Sequence, residues 1–158
     1  MDKLKFHMHT VFRETENVVF YDISIPQCNA SDLVIHESAA TSPPNDSNGN
    51  KQFYIHHHQI DNNRVIEGER TFELINLDWD NPYQIVHLKR NNGALVIPKG
   101  TYHRSVSGLD GSIVINQAIR DESGSVESEF KVTNSKDNKR LLDCITNLEP
   151  RFKIYSVK

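Results

Sequence analysis

Apolar positions along this chain recur in short runs with a period of two, the repeat of a β-strand. NVVFYDISI (17–25), DLVIHE (32–37), KQFYIHHH (51–58), RTFELINL (70–77), YQIVHLK (83–89), ALVIP (94–98) and SIVINQAI (112–119) are rich in β-branched and aromatic residues. Each predicts a strand. In RTFELINL, Phe72, Leu74 and Asn76 fall on one face and Glu73, Ile75 and Leu77 on the other. In SIVINQAI, Ile113, Ile115, Gln117 and Ile119 oppose Val114, Asn116 and Ala118. Apolar residues on both faces suit a strand packed inside a sandwich. Turn residues separate the runs: Asn62 and Asn63, Glu67 to Glu69, Asp80 to Pro82, Asn91 to Gly93, Pro98 to Gly100, and Leu109 to Gly111. TSPPNDSNGN (41–50) predicts a loop. Many short strands at close spacing predict a sandwich or barrel.

The period changes once. In SKDNKRLLDCITNLEP (135–150), Leu141, Leu142, Ile145 and Leu148 fall at helical spacing. Asn134 or Ser135 is the expected N-cap, and Pro150 the stop. Such a helix is expected to cover one open end of the β domain. RFKIYSV (151–157) reads either as a final strand or as an arm that pairs with another subunit.

The 158 residues suit one domain, 1–158, with a real core. Hydrophobic residues make up 37% and charged residues 25%, as in a soluble globular protein. No apolar run is long enough to span a bilayer. MDKLKFHMHT at the N-terminus has no apolar segment of the signal-peptide type, so a cytoplasmic location is the expectation. The net charge is -3 with Lys and Arg scattered, which argues against nucleic acid and anionic membrane surfaces as partners. Cys28 and Cys144 stand far apart and in no metal or redox spacing, so both are expected to be reduced and structural.

Two stretches carry a family likeness: HHHQIDNNRVIEGE (56–69) and GALVIPKGTYHRSVSG (93–108). A His-rich strand, a segment ending in Glu-Gly, and a later G-x4-P-x-G-x-x-H resemble the cupin family. More narrowly they resemble the small single-domain RmlC-like cupins related to sugar-nucleotide epimerases and ketoisomerases. The resemblance covers roughly residues 50–120. It implies an all-β fold, a double-stranded β-helix (jelly-roll) barrel, with 121–158 supplying a short C-terminal helix and arm. Gly93, Pro98, Gly100 and His103 fill the second motif. With Gly68 as the glycine of the first, the acidic position falls on Asp61. Counting back then places the histidine pair on Ile55 and His57; with the pair at His56 and His58 the loop before Asp61 is shortened, and Ser107 stands where the family closes with Asn.

The resemblance implies two kinds of site. His56, His58, Asp61 and His103 would form a metal set suited to Zn, Fe, Ni or Mn. Without metal, the histidines would line a polar pocket, with His58 or His103 as base and Tyr54 as acid, oriented by Asp61 or Glu67. On a strand His56 and His58 share one face and His57 the other, so either parity could meet His103. Tyr102 is expected as a half-buried aromatic and Arg64 as an exposed strand residue. His7, His9, His36 and His87 read as strand histidines, and Trp79 as a turn aromatic. The implied activity is that of an enzyme on a small polar or sugar-like substrate, by acid–base or metal-assisted chemistry. The alternative is a non-catalytic cupin that binds a small molecule. Convergence of His56, His58, Asp61 and His103 would favour the first. Sheet edges imply a homodimer, with 17–25 the candidate for exchange.

Overall fold

Strand β7 (Gln59–Ile75) runs 17 residues and joins the two layers of the molecule. A computed structural model describes residues 4–154, the last of these by its backbone alone. β7 passes unbroken through Asn62, Asn63 and Glu67 to Glu69, which the sequence marks as turns. The asparagines stay extended because both are laddered, Asn62 to Val96 and Asn63 to Leu95. The bend comes at Gly68, with φ +72. There the ladder shifts register between Ile113 and Val114, a β-bulge. A Cβ on Gly68 would stand 2.6 Å from the Gly111 carbonyl oxygen, so the bend requires glycine.

The N-terminal half of β7 belongs to one sheet. Its order is β1 (Lys5–His7), β9 (Ala94–Ile97), β7, β11 (Ser112–Arg120) and β4 (Ala30–His36), all antiparallel. The C-terminal half belongs to the other. Its order is β13 (Arg151–Ile154), β8 (Tyr83–Lys89), β7 and β10 (Tyr102–Ser107). Beyond β10 lie β5 (Ala40–Ser42) and β6 (Gln52–Ile55), with β12 (Val132–Asn134) on β6. β13 runs parallel to β8. The strand alternative for the C-terminal segment therefore holds over 151–154, while 155–157 lie outside the described residues. The hairpin of β2 (Thr10–Thr15) and β3 (Val18–Asp22) forms a separate two-stranded sheet. The architecture is the expected all-β jelly roll with a short C-terminal helix.

Alternation places the core. Phe72 and Leu74 point between the layers and pack with Val65, Val86, Leu88, Leu95, Ile97 and Val114. Ile75 points out of the second layer and packs with Phe53, Tyr83, Leu141 and Cys144. The last two come from helix α2 (Lys139–Asn147). This helix covers the outer face of the second sheet rather than an open end, because that face is apolar. Its N-cap is Asn138, whose Oδ1 accepts from the Leu141 N–H at 3.0 Å. Asn134 instead caps the short 3-10 turn Ser135–Asp137. Trp79 packs against the core between the layers. Both cysteines are free. No described helix is long and apolar enough to cross a membrane.

Candidate active site

Polar side chains fill the part of the interlayer space that the apolar core leaves. A cavity of about 140 Å³ opens there, walled by His56, Asp61, Asn63, Arg70, His103 and Asn116, with Tyr54 and Phe130 also on its wall. β7 supplies Asp61, Asn63 and Arg70 from its inward face, β10 supplies His103, and β11 supplies Asn116.

The histidine triplet does not lie on a strand. β6 ends at Ile55 and β7 begins at Gln59, so residues 56–58 form the bend between them. His56 is buried, His57 exposed and His58 half-buried. The expected pairing of His56 with His58 therefore does not form. His58 Nδ1 turns to Ser123 Oγ at 3.1 Å and lies 3.7 Å from Asp121 Oδ2, outside the cluster. The Gly100 N–H donates to the His56 carbonyl at 2.8 Å. That bond pins the Pro98–Lys99–Gly100 turn against the triplet and brings the two motifs together.

His56, Asp61 and His103 converge. Asp61 Oδ2 lies 3.3 Å from His56 Nε2 and 3.5 Å from His103 Nε2. The imidazole centroids are 4.7 Å apart. Asp61 Oδ1 accepts from Gln59 Nε2 and, at 2.9 Å, from Asn116 Nδ2. His103 Nδ1 lies 3.0 Å from the Thr101 carbonyl oxygen. A carbonyl only accepts, so Nδ1 carries the hydrogen and Nε2 of the neutral ring presents its lone pair to the cavity.

The environments of these groups differ. Burial lowers the pKa of His56, but the hydrogen bond and charge of Asp61, with Glu129, outweigh it and the net shift is upward. Burial dominates at His103 and, with the His56 charge, leaves it below the ordinary value despite Asp61. Burial alone would raise Asp61; its bond to His56 and both imidazole charges hold it well below the carboxylate range. Glu129 is buried on helix α1 (Val126–Glu129). Its Oε2 accepts from the His58 N–H at 3.2 Å and lies 3.6 Å from His56 Nδ1, a nitrogen without a hydrogen-bond partner.

The other candidates take these places. Tyr54 has its ring 6.1 Å from that of His103. Tyr102 is half-buried, as expected, and its hydroxyl accepts from Asn138 Nδ2 at the start of α2, 2.9 Å away. Arg64 is buried rather than exposed, with Nη1 3.0 Å from His9 Nδ1. Lys5–His7 forms β1, and Glu67 is exposed. His36 is buried against Ser107 Oγ at 2.8 Å, and His87 bonds Thr71 and Glu69. Arg70, Asn116 and Glu129 lie outside both motif stretches, and Asn63 falls within the first only as an expected turn residue. Arg70 shares the parity of Phe72 and Leu74, and Asn116 that of Val114 and Ala118, so strand alternation already puts each on the same face as those apolar residues. Glu129 has no comparable signal, since its helix is a single turn.

His56, Asp61 and His103 each offer one donor atom, and the three donors lie within 4.8 Å of one another. Two imidazoles and a carboxylate facing one cavity fit a divalent ion.

No family model matches the chain, and no curated protein does. Solved structures do. A dTDP-6-deoxy-D-glucose-3,5-epimerase, RmlC from Legionella pneumophila, superposes with TM-score 0.62 at 13% identity, over 98% of this chain and 84% of that one. ChmJ, a 3'-monoepimerase from Streptomyces bikiniensis, gives 0.61 at 11% identity, over 97% and 82%. QdtA, a sugar 3,4-ketoisomerase from Thermoanaerobacterium thermosaccharolyticum, gives 0.58 at 12% identity, over 89% and 92%. The likeness spans nearly the whole chain: it adopts the RmlC-like cupin fold.

Proposed function

We propose that this protein is an isomerase-type enzyme that moves a proton on a carbonyl-bearing, sugar-like molecule held in the barrel. One observation carries the reading: the Nε2 atoms of His56 and His103 meet Asp61 on a buried cavity wall. The opposed shifts of the two histidines assign their parts, since two titratable groups pushed apart supply an acid and a base. Neutral His103 takes a proton from the carbon beside the carbonyl. His56, protonated and held by Asp61, donates to the carbonyl oxygen as negative charge develops there. Tyr54 returns a proton to carbon while the enol hydroxyl gives its proton back to His56, and exchange with solvent then deprotonates His103 and reprotonates Tyr54. Bonds made and broken balance without a redox partner. The epimerases and ketoisomerase that share the fold support this class, as their names describe changes of this type. Three of the four residues whose convergence would favour catalysis, His56, Asp61 and His103, come together, which supports that reading, while His58 stays outside.

The same three residues support a second reading, in which they hold zinc, iron, nickel or manganese. Such an ion would polarise the substrate carbonyl as a Lewis acid.

The test is exchange of carbon-bound hydrogen in D2O, followed by proton NMR, over free and nucleotide-linked keto sugars, neutral and acidic. Exchange next to the carbonyl that vanishes in His103→Ala supports the reading. Absence of exchange across the whole set with wild-type protein overturns it.

A second copy of the chain is the proposed partner. Every residue of β2 and β3 is exposed. Phe12 is 67% exposed, and Leu33 on β4 60%. Among the described residues β4 pairs with β11 alone, leaving an apolar edge of the kind dimers cover. Light scattering is expected to give twice the chain mass in wild type and the single mass in a Phe12→Glu, Leu33→Glu variant.

A further inference from the structure

Arg70 is 1% exposed and lies on the cavity wall. Burying a guanidinium is costly unless something balances its charge. Among the described residues Arg70 forms no ion pair, and every acceptor it reaches is neutral. Nε donates to Ser112 Oγ at 2.6 Å, and Nη2 to the carbonyls of Ser112 at 3.2 Å and Val34 at 3.3 Å. Nη1 reaches Ser105 Oγ at 3.3 Å. A guanidinium has five N–H groups, so one Nη1 hydrogen is left without an acceptor.

The carboxylates on the same wall are committed elsewhere. Asp32 pairs with Arg120 at 2.9 Å, and Asp61 with Gln59, Asn116 and His56. The inner side of the guanidinium is anchored: Ser112 Oγ contacts Ser107 Oγ, which in turn bonds His36 Nδ1. His36 is kept neutral by burial and by the Arg70 charge, so it adds no second positive charge beside the guanidinium. One side of Arg70 is thus fixed, and the other, with Ser105, faces the cavity.

We infer that Arg70 and Ser105 bind a carboxylate of the ligand, so that the ligand is a sugar acid rather than a neutral sugar. One free N–H and one hydroxyl offer two donors, which match the two oxygens of a planar carboxylate. A single buried cation matches its single charge, whereas a phosphate dianion calls for more donors. The inference rests on the sugar-like reading above for the rest of the ligand.

Calorimetric titration of wild-type protein with D-glucuronate, D-gluconate, D-glucose and inorganic phosphate tests it. Unfolding temperature in sodium acetate against sodium chloride at equal ionic strength supplies a test without a sugar. The expected result is at least tenfold tighter binding of one acid than of glucose, and a higher unfolding temperature in acetate. Both effects are expected to disappear in Arg70→Met and Ser105→Ala. Equal behaviour of acids and glucose overturns the inference, as does tighter binding of phosphate than of either acid. Should Arg70→Met fail to fold, Ser105→Ala decides, and an unchanged preference there overturns it. Carboxylate preference retained in His103→Ala, together with absence of hydrogen exchange in wild type, would remove the catalytic reading and leave this one standing.

Discussion

His103 holds Nδ1 3.0 Å from the carbonyl oxygen of Thr101. Thr101 is itself held by the turn before it, where its N–H bonds the Pro98 carbonyl at 3.3 Å. The Pro-x-Gly-x-x-His motif thus does more than aim a ring inward. It fixes which nitrogen carries hydrogen and which faces the cavity. Nitrogen-15 NMR of the neutral protein is expected to show the Nδ1–H tautomer for His103. An Nε2–H tautomer would contradict the base assigned here.

The bend in β7 depends on a residue without a side chain. Gly68→Ala would place a Cβ 2.6 Å from the Gly111 carbonyl oxygen at φ +72. A left-handed non-glycine residue costs about 1–3 kcal/mol before the clash is counted. Urea unfolding should show a lower midpoint by at least that equivalent, with an unchanged slope.

Helix α2 is held by few residues. Leu141 is fully buried against Phe53, Ile75 and Tyr83. Leu141→Ala is expected to destabilise by about 2–5 kcal/mol, the range for a buried leucine. Leu142, 39% exposed one position later, should lose well under about 1 kcal/mol on the same change.

His36 makes stability depend on pH. Burial, and then the charge of Arg70, lower its pKa to about 4, below the unfolded value near 6.5. Between these values the unfolded chain binds the proton and the folded one does not, so stability falls as pH drops from about 6.5 to about 4. The loss is at most about 3 kcal/mol. His36→Gln should flatten this limb of a stability–pH profile measured by urea unfolding, and an equally steep limb in the variant would refute the assignment.

Strand alternation in RTFELINL and SIVINQAI was enough to put Phe72 with Leu74, and Val114 with Ala118, on common faces, because one-residue parity is a local property; which face is buried shows only in the fold. The same parity applied to Arg70 puts a charge among core residues, an assignment that hydrophobic patterning disfavours. Parity failed at His56 to His58 because it holds only while the chain stays extended, and β6 ends at Ile55. Asn62, Asn63 and Gly68 read as turns because asparagine and glycine favour them. Pairing with β9 and β11 overrides that local preference. The outer-face position of Arg64 beside His9 joins residues 55 positions apart in the chain, which no local pattern reports.

The centre proposed here turns on Asp61, which both histidines share. Asp61→Asn keeps the shape and removes the charge that holds His56 protonated. The most direct measurement is the rate of hydrogen exchange beside a sugar carbonyl in D2O, in wild type and in Asp61→Asn, each checked for fold by circular dichroism. The expected result is exchange in wild type reduced at least about 100-fold in the variant, the low end of what a positioned acid or base contributes. Equal exchange in a folded Asp61→Asn protein would contradict the proposal that this cluster moves the proton.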